Sequence, residues 1–221
     1  MKPEDIVNRV VDFVKAELSD NESAHDWWHV YRVWQLAKKI ALEESKTHTI
    51  NILIVELGAL LHDIADYKFY GGDVSVGIKK ARDFLSSLDV EEDVIEKVID
   101  IIENISFKGR AEKLTDKSKE FEIVQDADRL DAIGAIGIAR TFSYGGFKKR
   151  VIYDPNQKPK EYKSKEEYIN SDSSTINHFY EKLLLLKDLM NTETGKHIAE
   201  HRHKFMELFL EEFFKEWNCE L

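Results

Sequence analysis

The sequence predicts an all-α protein of about eight helices, and three observations carry that reading. Apolar residues recur at helical spacing through most of the chain. Only three prolines interrupt 221 residues. Charged residues make up 33% and hydrophobic residues 43%, which provides both a core and a solvated outer face. The length suits one sizeable domain or two small ones, and the reading taken here is a single domain over 1–221.

The first helix opens on Pro3-Glu4-Asp5 and repeats Ile6, Val7, Val10, Val11, Val14 and Leu18 at helical intervals. A second runs from near His25 to about Glu44, with Val30, Val33, Leu36, Ala37 and Ile40 on its core face and Trp27 and Trp28 taken as packing. A third, from about Thr49, is mostly apolar and runs through His62-Asp63. Val74 to Leu88 forms a fourth. Asp89 with Glu92 reads as a capping box for the fifth, which includes Val94, Ile95, Val98, Ile99 and Ile102. The polar stretch from Lys108 to Glu120 is a loop. The sixth helix is predicted from Phe121 to about Phe142, with Gly134 and Gly137 inside it to permit close helix approach. Residues 143–172, lysine-rich and holding Pro155 and Pro159, read as a loop or lid, with room for a short hairpin between Tyr144 and Tyr162. Two C-terminal helices over 173–217 complete the chain, one through Phe179, Leu183, Leu186 and Met190, the other from Thr192 through Phe205, Phe209 and Trp217.

Composition also restricts function. A net charge of −10 and a pI near 5.4 argue against a general nucleic-acid partner, while leaving room for a small anion in a local basic pocket. No apolar run approaches the roughly 18 residues of a membrane span and no signal peptide opens the chain, so no membrane partner and a cytoplasmic location are expected. One cysteine, Cys219, cannot form an intramolecular disulfide.

Three short segments carry chemistry. The first is His25-Asp26-Trp27-Trp28-His29, the second Leu61-His62-Asp63-Ile64-Ala65-Asp66, the third Asp126-Ala127-Asp128-Arg129-Leu130-Asp131. Imidazole and carboxylate are both good ligands for first-row divalent ions, and His … His-Asp … Asp supplies one metal site's worth of them. His25 and His29 are four apart and can share a helix face. Asp26 reads either as a helix cap or as a polar group beside a site. Asp66, three residues past Asp63 and before Gly71-Gly72, can aim at a water or cap a turn; Lys68 can meet a phosphate or stay solvated. His197 and His201 are also four apart but lack an accompanying base or third ligand. His178, Lys182, Lys187 and Arg202 form a scattered basic set near the C-terminus, open to a phosphate or an ion-pair role.

These three motifs, in this order, resemble the HD-domain superfamily of metal-dependent phosphohydrolases. The resemblance is to its small stand-alone bacterial members with an HDWxH opening and a DADRLDAxG third motif, and it covers about nine tenths of the chain, with the motifs within 23–142. It implies an HD-domain helical bundle around a metal held by His29, His62, Asp63 and Asp128. It implies one divalent ion, of manganese, iron, cobalt, nickel or magnesium, because the extra histidines of dinuclear relatives are missing around 103–109. Asp63 and Asp66 are then catalytic, and Lys68, Arg129, His25 and Asp26 face the substrate. The implied activity is hydrolysis of a phosphate ester or phosphoanhydride of a nucleotide by a metal-activated water, in a monomer or homodimer, with the C-terminal helices walling the pocket. Cyclic-nucleotide phosphodiesterase and a non-catalytic metal- or nucleotide-binding module are the alternatives.

Overall fold

A computed structural model describes residues 1–18, 26–64, 73–105, 117–162 and 173–220. Among these the chain is all-α, with no strand. The helices are α1 (Pro3–Glu17), α2 (Trp27–Glu44), α3 (Ile52–Leu61), α4 (Val74–Ser87), α5 (Glu92–Asn104), α6 (Lys119–Asp131), α7 (Gly134–Phe147), α8 (Asn177–Glu181) and α9 (Glu193–Trp217), with a 3₁₀ run at Leu183–Leu189. They divide into two compact units, one holding residues 1–105 and 117–128, the other 129–220.

The first unit is built on α3. Its residues Ile54, Val55, Leu57, Gly58, Ala59, Leu60 and Leu61 are all buried, so the helix is enclosed rather than amphipathic. It packs against α1, α2 and α5. Fully burying each leucine contributes about 1.5–3 kcal/mol. Gly58 lets α5 come close: a Cβ there would lie 2.7 Å from Ile101 Cδ1. Asn51 caps the start of α3 by accepting from Leu53 N at 3.1 Å, and its own N–H donates to Glu120 Oε1 of α6 at 2.8 Å. Trp34 Nε1 on α2 donates to Glu56 on α3 at 3.1 Å, and Lys38 pairs with the same carboxylate at 3.2 Å. An enclosed helix tied in this way fixes the position of whatever follows its last turn.

In the second unit, Phe142, Phe179 and Phe209 pack together, and Tyr153 meets Phe213, Phe214 and Trp217 edge-on. Thr192 caps α9 by accepting from Gly195 N at 2.9 Å. The segment before α8 is tied down. Thr175 N and Ile176 N donate to the carbonyls of Val151 and Ile152 at 3.0 and 2.9 Å, and Asn177 Nδ2 donates to the Gln157 carbonyl at 2.9 Å.

Several predicted boundaries move. The third helix stops at Leu61, so His62 and Asp63 lie in the turn after it. The predicted sixth helix is two helices, because Ile133 is extended (φ −125°, ψ 166°) and Gly134 takes φ +77°, which no right-handed helix accommodates. Residues 143–147 belong to α7 rather than to a loop, and no hairpin forms in 144–162. The predicted seventh helix is a five-residue α8 followed by the 3₁₀ run, broken at Lys182 (φ −143°). Trp28 is 61% exposed, a surface residue rather than packing.

The predicted capping box at Asp89 does not form. Asp89 has φ +55° and closes the end of α4: its N–H donates to the Ser86 carbonyl at 3.1 Å, and that of Val90 donates to Leu85 at 3.3 Å. This is a Schellman motif with aspartate where glycine is usual. Lys149 after α7 and Cys219 after α9 repeat it, at φ +56° and +57°. A left-handed backbone costs an L-residue roughly 1–2 kcal/mol, partly offset for glycine by its greater unfolded-state freedom. Asp89→Gly should therefore raise stability by about 0.5–1 kcal/mol, read as a higher midpoint in urea unfolding. A lower midpoint would contradict this account of the α4 terminus.

Candidate metal centre

Three elements of the first unit deliver the cluster. Asp26 is the N-cap of α2, and its Oδ1 accepts from His29 N at 2.9 Å, which locks the first turn that carries His29. His62 and Asp63 follow the last residue of buried α3. Asp128 lies on the last turn of α6.

Nε2 of His29 and Nε2 of His62 are 3.3 Å apart. Asp63 Oδ2 lies 3.3 Å from the first and 3.4 Å from the second; Asp128 Oδ1 lies 3.6 and 3.9 Å from them. The atoms offered by His29, His62 and Asp128 all fall within 4.8 Å of one another. Both histidines are buried, while the carboxylates keep partial exposure, 17% for Asp63 and 32% for Asp128. His62 Nδ1 is 2.8 Å from the Ala59 carbonyl. A carbonyl only accepts, so Nδ1 carries a proton and a neutral His62 presents a bare Nε2 to the cluster.

The donor set fits a divalent cation. Ligands about 2.1 Å from one ion lie roughly 3.0–3.4 Å apart, close to the separations here. The charges fit as well. Burial acts to lower the pKa of His62, but attraction to and a hydrogen bond with Asp63, attraction to Asp128 and the Ala59 carbonyl outweigh it and raise it to about 9. The two carboxylates thus call for positive charge beside the imidazoles, and a cation can supply it in place of a proton.

The remaining groups singled out in the sequence lie elsewhere or outside the described residues. His25, Asp66 and Lys68 lie outside the described residues. Asp126 is fully buried two residues before Asp128 and is not in the cluster. Arg129 donates to the Leu189 carbonyl within the second unit. His197 and His201 are exposed on α9. Of the C-terminal basic set, His178 is held neutral, its pKa pushed down to about 3 by burial and by Lys182 and Arg150. Sequence reasoning missed Arg140, which pairs with Asp131 across the break between α6 and α7.

If the cluster is a cation site, a divalent ion at 100 times its Kd should stabilise the fold by about 2.7 kcal/mol, a rise in Tm of roughly 5–10 °C. Asp63→Ala removes one donor and one balancing charge. It should abolish the Mn²⁺-dependent shift in a thermal melt while keeping the helical circular dichroism. An undiminished shift in that variant would contradict the assignment.

Among the described residues no helix is long and apolar enough to cross a membrane. The model of the HD domain family matches residues 27–133. The uncharacterized protein YpgQ of Bacillus subtilis (strain 168) is 38% identical over 205 residues, 92% of this chain and 90% of that protein. An HD-superfamily hydrolase from Bacillus thuringiensis superposes with a TM-score of 0.78 at 43% identity, over 98% of this chain and 99% of that one. The crystal structure of B. subtilis YpgQ in complex with ADP superposes with a TM-score of 0.78 at 32% identity, over 98% and 97% of the two chains. With the matched segment spanning all four converging side chains, and relatives similar along nearly their whole length, the chain belongs to the HD-domain family.

Proposed function

We propose that this protein is a metal-dependent phosphohydrolase that cleaves a phosphate ester or phosphoanhydride of a nucleotide by attack of water. The observation that carries the proposal is the meeting of His29, His62, Asp63 and Asp128 with His62 locked as an Nε2 donor. Its similarity to a relative crystallised with ADP supports a nucleotide as substrate.

In this reading those four residues hold one divalent ion of manganese, iron, cobalt, nickel or magnesium. When bound, the ion supplies Lewis acidity toward a phosphoryl oxygen and toward the attacking water. The Ala59 carbonyl holds the imidazole of His62 in one tautomer and orientation. Asp26 holds the turn that presents His29. Partial exposure leaves the Asp63 and Asp128 side open to a ligand. From sequence position, Asp66 orients the water and takes its proton, and Lys68, Arg129 and His25 answer the charge on the phosphates.

A nucleotide panel assayed with each of the five metals, scoring phosphate and pyrophosphate separately, tests the activity. Metal-dependent release of either product supports it, and no release from any nucleotide in the metal-loaded protein contradicts it. Asp66→Asn keeps the side chain's shape but cannot take a proton. It should leave the metal bound and lower kcat by roughly 10²–10⁴-fold, with KM moving less. Full metal content with kcat within about threefold of the parent would remove Asp66 from the chemistry.

A further inference from the structure

We propose that Asp131, Arg140 and Arg202 act as positioning residues: they clasp the end of α6 and so hold its last turn, with the Asp128 carboxylate on it, in register for a cation. The proposal rests on the metal reading of the cluster and extends it to residues that bind no ligand themselves.

The last four carbonyls of an α-helix have no partner inside it, and final turns fray. Asp128 lies on such a turn, and α6 ends three residues later at Asp131. The backbone closes this end only with tight turns, Ala132 N to the Arg129 carbonyl and Ile133 N to the Leu130 carbonyl, both at 3.2 Å. Bonds of this i→i−3 type have poorer geometry than those of the helix proper. A ligand carried on that turn needs another restraint.

Within the second unit, two side chains hold Leu130 and Asp131. Arg202 Nη1 on α9 donates to the Leu130 carbonyl at 2.5 Å. Arg140 Nη1 on α7 pairs with Asp131 Oδ2 at 2.5 Å, where the carboxylate is only 4% exposed and the arginine 24%. Burial lowers the pKa of the Arg202 guanidinium, and the charge of Asp131 works against that, so one carboxylate balances both arginines. Two glycines make the geometry possible. Gly134, at φ +77°, lies against the Arg202 stem, where a Cβ would come within 3.0 Å of Cγ and 3.1 Å of Cβ. At Gly137 a Cβ would overlap the Ala132 carbonyl, so the first turn of α7 can pass this close to Ala132 only with glycine there. Half-burying the Arg202 guanidinium to reach the Leu130 carbonyl costs desolvation. On the metal reading that restraint has a use, since groups that orient ligands typically change metal affinity by 10–100-fold when removed.

The test measures Mn²⁺ affinity by calorimetry, and amide exchange at Ala132 and Ile133 in the metal-free protein. Arg202→Met and Arg140→Gln should each weaken Mn²⁺ binding by about 10–100-fold. Both should also speed that exchange at least tenfold. Arg202→Lys, which can still donate to the carbonyl, should lose less affinity than Arg202→Met. Leu210→Ala, which opens a cavity at a buried position of α9 eight residues beyond Arg202, should keep parental Mn²⁺ affinity. If Arg202→Met does not fold, Arg140→Gln decides alone. Parental affinity in the arginine variants overturns the proposal, and so does an equal loss in Leu210→Ala, which would make the effect general destabilisation. If the parent binds no Mn²⁺, or Asp128→Asn binds it as well as the parent, the metal reading fails instead. The exchange rates then judge the clasp by themselves, and parental rates overturn it.

Discussion

The charge balance among His29, His62, Asp63 and Asp128 is the constraint to which the first unit answers. Two carboxylates and two imidazoles meet with their polar atoms 3.3–3.9 Å apart. Both imidazoles are buried, so the field of the acids is only weakly screened where it reaches them. Without a cation the carboxylates keep a proton on His62 well above its ordinary range. Such a cluster costs folding energy unless its geometry is held and its charge is met. The enclosed helix α3 provides the geometry, because its burial on all sides fixes the turn that follows it. The caps at Asp26 and Asn51 fix the starts of α2 and α3.

Charge and packing therefore compete at the same residues. Asp63 and Asp128 are partly exposed, while the histidines are buried. The clustered side chains sit at helix termini, where a side chain leaves the helical array and can converge with others from different directions. The cost is that termini fray. Each one here is tied by a cap, by a turn to a backbone carbonyl or by a guanidinium.

Much of this was legible in the sequence because it is local. The apolar run of α3 announces a buried helix, and His62-Asp63 at its end marks an intended polar break. The three motifs in order pointed to four side chains that the structure brings together. What was not legible depends on backbone choices with weak sequence signals. Gly134 and Gly137 read as glycines inside a helix, whereas Gly134 takes a left-handed φ and starts a new one. Asp89 resembled a cap for α5, yet it closes α4, since aspartate tolerates a left-handed backbone and serves either end. Leu183–Leu189 has helical apolar spacing but winds as 3₁₀, a distinction that i, i+3 periodicity barely records. The pairing of Asp131 with Arg140 spans the helix break at Ile133 and Gly134, so spacing along one helix could not have found it.

The central claim is that these four side chains hold one divalent ion. Crystals grown with Mn²⁺, with diffraction recorded at the manganese absorption edge, test it directly. The account predicts one strong anomalous peak with His29 Nε2, His62 Nε2 and oxygens of Asp63 and Asp128 about 2.0–2.4 Å from it. A peak at His197 and His201 instead, or none at the cluster in Mn²⁺-saturated crystals, would contradict it.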